Sequence, residues 1–208
     1  MRARTIACLS GILMFGSLVG ARAARVVTLD TSNITGSTGG TLVYDAGGTT
    51  TLAPTGSVTV VSGYQSGQYS YPSDTTSYAV IKSGNTATFT ISGGTDYFGI
   101  AWGTVDSYNT ITFSTADGKT TTFTGSQIAN LLKKAGTTIT LSSSDIYANF
   151  VSADSPITKA VLSTSSNSFE FDDVRIAATP LPAAISLFGL GLVGLGMTGW
   201  RKRRKPAN

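Results

Sequence analysis

From Thr86 onward the chain sets threonine against large apolar residues in strict alternation, and that alternation restricts the fold more than any other feature of its 208 residues. Ala87, Phe89 and Ile91 fall on one side of an extended backbone, and Thr86, Thr88 and Thr90 on the other. Ile111 and Phe113 alternate with Thr110, Thr112 and Ser114, and Ile139 and Leu141 with Thr138 and Thr140. A period of two is the signature of a strand with one buried face. Threonine suits the outer face, because its branched β-carbon fits the pleat and its hydroxyl keeps that face wet without charge. Further strands are expected at Val26–Leu29, Leu42–Tyr44, Val58–Val61, Tyr78–Ile81, Tyr97–Trp102, Thr120–Phe123, Tyr147–Val151, Ile157–Leu162 and Phe169–Ile176. Glycine- and serine-rich clusters separate them, and Asp117-Gly118 reads as a hairpin turn. Many short strands at this spacing predict an all-β antiparallel sandwich. One helix is expected: Ser126 as cap, Gln127–Lys134 with Ile128, Leu131 and Leu132 on one face, and Gly136 as terminator. Val61 to Pro72 reads as a long loop.

The two ends of the chain read differently. Arg2 and Arg4 precede an apolar stretch from Ile6 to Val19, and Ala21-Arg22-Ala23 supplies the small-x-small pattern of signal peptidase, so residues 1–23 form an expected signal peptide. Leu181 to Trp200 is twenty residues without an ionisable side chain, which matches a hydrocarbon core of ~30 Å. It predicts a single C-terminal transmembrane helix. Arg201, Lys202, Arg203, Arg204 and Lys205 follow it and resist translocation, which keeps the C-terminus cytoplasmic and the rest of the chain outside. The glycines at 189, 191 and 194 spell a nucleotide-binding fingerprint, but no βαβ unit surrounds them. The expected passenger is one domain, residues 24–178.

Within that passenger seven cations face eleven acids, a net charge of −4, although the whole chain carries +4. Its basic residues are dispersed, which excludes a nucleic-acid partner. The one cysteine, Cys8, leaves with the signal, so packing and strand pairing alone must stabilise the domain. Histidine is absent and Glu170 is the sole glutamate, which removes the commonest general bases and points away from an enzyme. Two stretches remain as candidates for chemistry. In Phe169-Glu170-Phe171-Asp172-Asp173-Val174-Arg175-Ile176 the step of three from Phe171 to Val174 breaks the strand period, and a bulge at Asp172-Asp173 would restore it. Either an aspartate there helps hold calcium, or the pair forms a solvated or hydrogen-bonded edge. No other cofactor is expected. In the stretch 96–109, Trp102, Asp106, Tyr108 and Asn109 are the residue types that stack on and bond to sugars, while Phe98, Ile100 and Trp102 equally share one strand face that suits a core.

The tail resembles a PEP-CTERM sorting segment over residues 179–208: a proline motif at 179–183, an apolar helix at 181–200 and a basic terminus at 201–205. The usual central P-E-P is here Pro180-Leu181-Pro182-Ala183, similar to the PLPA-type variant. The body resembles a subgroup of such proteins in Tyr97-Phe98-Gly99, Trp102-Gly103, Asp106, Tyr108-Asn109 and Phe113, and in the closing strand Phe169 to Val174. The resemblance implies a jelly-roll-like sandwich. It also implies export through signal peptidase and the secretion machinery, arrest in the inner membrane, cleavage by an exosortase-type membrane protease, and delivery to the cell surface or the extracellular polysaccharide matrix. Two functions stand from this reading: a non-catalytic surface or matrix component, or a carbohydrate-binding module, with or without calcium, acting on exopolysaccharide.

Overall fold

The computed structural model describes residues 27–48, 50–63 and 77–177. Twelve strands and one helix run in the order β1 Thr28–Asp30, β2 Thr41–Tyr44, β3 Thr55–Gly56, β4 Thr59–Ser62, β5 Ser77–Ile81, β6 Thr86–Thr95, β7 Tyr97–Trp102, β8 Asn109–Thr115, β9 Thr120–Thr124, α1 Gly125–Lys134, β10 Ile146–Val151, β11 Ile157–Thr164 and β12 Phe169–Ile176. They form two antiparallel sheets. One is ordered β1-β10-β7-β12-β5-β4, with β2 also paired to β12, and the other β3-β6-β11-β8-β9. The expected signal peptide with Ala21 and Ala23, the proline motif, the apolar segment 181–200 and the basic residues 201–205 lie outside the described residues. Among the described residues no helix is long and apolar enough to cross a membrane.

The alternation seen in the sequence closes the sandwich. Phe89 and Phe113 of the second sheet meet Phe98 of the first at ring-centroid distances of 5.9 and 5.4 Å, both edge-on. Phe113 also lies 4.8 Å from Phe150. Such edge-to-face pairs add about 0.5–1.5 kcal/mol each beyond the area they bury. Along β8 the burial strictly alternates, Asn109, Ile111, Phe113 and Thr115 inward and the threonines and serine between them only half-buried.

Four expectations need correction. Ile139 and Leu141 do not form a strand: residues 137–145 run as irregular chain and a turn, Leu141 is exposed, and Ile139 packs only partly against the core. Two apolar positions bury too little surface to hold a strand, and the serines that follow favour a turn, with Ser142 at φ 62° and Ser144 Oγ accepting the Thr140 N–H at 2.9 Å. The helix is capped by Thr124 instead of Ser126. Thr124 Oγ1 accepts from Gln127 N at 3.1 Å while Gln127 Oε1 accepts from Thr124 N at 2.9 Å, a reciprocal pair that needs Gln127 three residues after the cap. Leu131 is exposed, because Ile128 and Leu132 suffice to fill the space under α1. Finally, the Asp172-Asp173 strand is no edge: β12 lies inside its sheet, paired with β7, β5 and β2.

The register defines two ends. Thr28 pairs with Val151, Val151 with Tyr97, and Ala177 N donates to Tyr97 O, so the first and last described strands leave from one end, about 14 Å apart across three strand spacings. The turns at Thr95–Asp96, 116–119 and 152–156 lie at that end and bond to one another: Ser152 N donates to Asp96 O and Ala116 N to Pro156 O, both at 2.9 Å. The opposite end carries residues 82–85, 103–108, 140–145 and 165–168.

Candidate functional site

The bulge that the period break predicts is present. Register shifts between Asp172 and Arg175, Asp173 takes up φ 47°, and Phe169, Phe171 and Val174 are all fully buried. The extra residue turns the strand so that both apolar pairs serve the core. Glu170 and Asp172 then share the outer face of β12, yet neither reaches water: they are 1% and 5% exposed. Asp172 Oδ1 accepts the Ala46 N–H at 2.8 Å, because the turn after β2 folds back over it. Burial raises the Asp172 carboxyl to about 7, opposed by the backbone bonds from Ala46 and Asp173. Among the described residues no group of three or more metal-binding side chains is gathered.

Glu170 lies under the far end of the sandwich. The Ser168 hydroxyl donates to its Oε1, Thr104 Oγ1 donates to its Oε2 at 3.1 Å, and Gly103 N donates to its carbonyl at 3.0 Å. Burial pushes this carboxyl up to about 7, the two hydroxyls oppose that shift, and the Asp106 charge adds to it. The segment 103–108 is fixed over it from the other side. Thr104 N donates to Asp145 Oδ1 at 2.8 Å, Val105 N to Ser144 O at 2.8 Å, and the Ser142 hydroxyl to Asp106 Oδ1. Asp145 is itself raised by burial, with the Thr104 N–H working against that.

The sugar-type residues of the sequence are therefore brought to one end, but turned inward. Trp102 is fully buried and stacks on Phe169 at 4.7 Å and 16°, so its ring face is occupied, and its Nε1 has no partner among the described residues. Asp106 is 4% exposed. Asn109 is fully buried, its Nδ2 donating to Ser168 O at 3.0 Å, and its Oδ1 has no partner among the described residues. Tyr108 is half-buried; its hydroxyl donates to Asn167 O at 2.8 Å, and desolvation, helped by the Asp106 charge, raises it to about 12. These contacts tie the 103–109 segment to the 165–168 turn. No protein-family model, curated protein or solved structure matches the chain.

Two groups carry little mark in the sequence. Glu170 stood out only as the lone glutamate, and its place between two inward phenylalanines put it on the outer face; nothing in the spacing announced that segments 103–108 and 140–145 fold over that face. The second group is Tyr97, Asn149 and Thr38. Asn149 Oδ1 accepts from the Tyr97 hydroxyl at 2.5 Å and from Thr38 N at 3.0 Å, and its Nδ2 donates to Asn33 O at 2.9 Å and Gly36 O at 3.1 Å. A single buried asparagine thus pins the whole 33–38 segment against the outer face of the first sheet. Asparagine at a strand centre was the available signal, since its amide is disfavoured there unless something is folded onto it.

Proposed function

We propose that this chain is an exported, non-catalytic surface or extracellular-matrix protein with a jelly-roll-like passenger, held in the inner membrane by residues 181–200 and released by an exosortase-type protease near Pro180-Leu181-Pro182-Ala183. The observation that carries the reading is the succession of segments in the tail's sequence: a proline motif, twenty apolar residues without an ionisable group, and five consecutive cations. The body is in keeping with it. Its last described strand ends at Ile176, shortly before the proline motif, and the outward positions of β6, β8 and β9 are mostly threonine and serine in place of charge. The carboxylates at the far end are engaged by hydroxyls and backbone N–H groups of the chain itself, an arrangement that serves to hold loops in place. The carbohydrate-binding alternative has less behind it, since Trp102, Asp106 and Asn109 are buried.

Replacing Pro180 and Pro182 with alanine should leave a precursor of full C-terminal mass in the inner membrane, whereas the native chain should appear at the surface or in the matrix with a mass ending near Pro182. Mass spectrometry of the two fractions checks this. Equal maturation of the variant would overturn the assignment of the motif.

A further inference from the structure

The first sheet ends at β1 and β4, the second at β3 and β9. β3 and β4 share one flank of the sandwich, since only Ser57 and Val58 separate them. β9 and β1 share the other, where Phe123 lies 5.0 Å from Phe150, the partner of Leu29. An open edge invites a further strand unless it is blunted by shortness, charge, proline or a bulge. β3 has only two residues, and β1 has three, the last of them Asp30. The outer side of β2 is occupied, because Val43 O accepts from Thr51 N and Leu52 N. β4 and β9 are longer, and neither carries a charge, a proline or a bulge. We propose that these two strands pair between copies of this chain, β4 of one molecule adding to β9 of the next, so that the protein assembles head-to-tail into open rows.

The hydrogen-bond pattern shows which groups of β9 are free. Thr115 N donates to Lys119 O at 3.0 Å, so these residues form a hydrogen-bonded pair. In an antiparallel ladder such pairs alternate with pairs whose backbone groups point away from each other. Counting along the register, Thr120, Thr122 and Thr124 turn their N–H groups to the outer side. Gln127 Oε1 takes that of Thr124, whereas no described residue meets the outward backbone groups of Thr120 or Thr122. Beside this edge runs α1. Strand and helix leave between them a groove of about 320 Å³ lined by Thr122, Phe123, Gln127, Asn130, Leu131 and Lys134.

The opposite flank carries what fits there. Val60 of β4 pairs with the buried Ala79 and so lies on the core side of its sheet, yet it is 51% exposed because no described strand lies beyond it. Phe123 lies on the core side of β9, opposite Ile111. Laying β4 on β9 with the two core sides continuous therefore sets Val60 over the groove, against Phe123 and Leu131. That contact covers two of the three exposed large apolar side chains among the described residues. Residues 46–63 contain no ionisable side chain, so Lys133 and Lys134 meet no like charge and no carboxylate is buried. Because the two strands occupy opposite flanks, each added copy leaves one of each kind free, and the contact repeats. A four-residue ladder is a small interface, so the rows form weakly and grow with concentration, as on a crowded surface or in a matrix. The pairing uses only the folded body and is independent of how the tail is processed.

The test uses the full chain carrying Cys8→Ala, in detergent, with Val60→Cys in one preparation and Leu131→Cys in another, treated with a short bismaleimide. Mixing the two should give at least about tenfold more cross-linked dimer than either alone, and a chain carrying both should give a ladder of dimers, trimers and higher species. Thr122→Pro removes an N–H with no partner in the molecule, and Asn130→Arg blocks the groove from an exposed helix position. Either change, placed in the doubly substituted chain, should reduce the ladder at least about tenfold. Thermal melting identifies a variant that has lost its fold, and the other then decides. Monomer alone at every concentration, equal cross-linking by one single variant on its own, or a ladder undiminished by the folded variants overturns the head-to-tail pairing.

Discussion

Gly99 shows how closely the outer face of the first sheet is built. It pairs with Asn149 in the centre of β7, and a Cβ added there would lie 2.3 Å from the Tyr97 hydroxyl and 2.8 Å from Tyr147 Cε1. Those two rings are themselves fixed, Tyr97 to Asn149 and Tyr147 by donation to Asp173 O at 2.8 Å. Neither ring can swing away without breaking a hydrogen bond that is buried or partly buried. Gly99→Ala should therefore destabilise the domain by about 1–3 kcal/mol, the usual cost of overpacking. Urea unfolding followed by tryptophan fluorescence measures it, and an unchanged midpoint would mean that the tyrosines repack freely. The sequence signalled a glycine at this place only as part of a resemblance; the reason for it, two tyrosines meeting across a missing side chain, needs the register of β7 and β10.

At the scale of the element, β12 places two protonatable carboxyls on one buried face. Glu170 and Asp172 are raised from 4.5 and 3.8 to about 7, so the folded state keeps protons that the unfolded chain releases between those values. Their contribution is fully present below about pH 4, declines as pH rises towards 7 and is gone above it, by linkage. Asp30 and Asp117, whose carboxyls hydrogen bonds hold below the usual range, act in the opposite sense at lower pH. Stability should thus peak on the acidic side of neutrality, and Glu170→Gln or Asp172→Asn should each flatten part of the decline between pH 4 and 7. Melting temperatures across that range test this; a slope unchanged in both variants would exclude these groups as its source. The bulge that creates this face was legible in the step of three between Phe171 and Val174. That it lies mid-sheet was not, because a run of alternating residues looks the same at an edge and at a centre. The failed strand at Ile139–Leu141 has the same origin: two apolar residues match the period but carry too little buried surface to enforce it.

For the whole molecule, the decisive fact is the order in which the strands become available. The strand that joins the two halves of the first sheet, β12, is the last of the described strands to be made, with β5 and β4 on one side of it and β7, β10 and β1 on the other. A chain ending at Ser165 would leave those halves unconnected and remove Phe169, Phe171 and Val174 from the core. It should show no cooperative thermal transition, in contrast to a chain ending at Ala178; a sharp transition in the shorter chain would show that the second sheet can organise the core alone. Individual strands were visible in the sequence because alternation is local, but their neighbours were not, because pairings such as Tyr44 with Val174 join residues far apart in the chain. The same order has a consequence for synthesis. Until β12 is available, through Ile176, the two halves of the first sheet have nothing to join them. Late closure of this kind leaves the first sheet in two separate halves until nearly all of the described chain has been made.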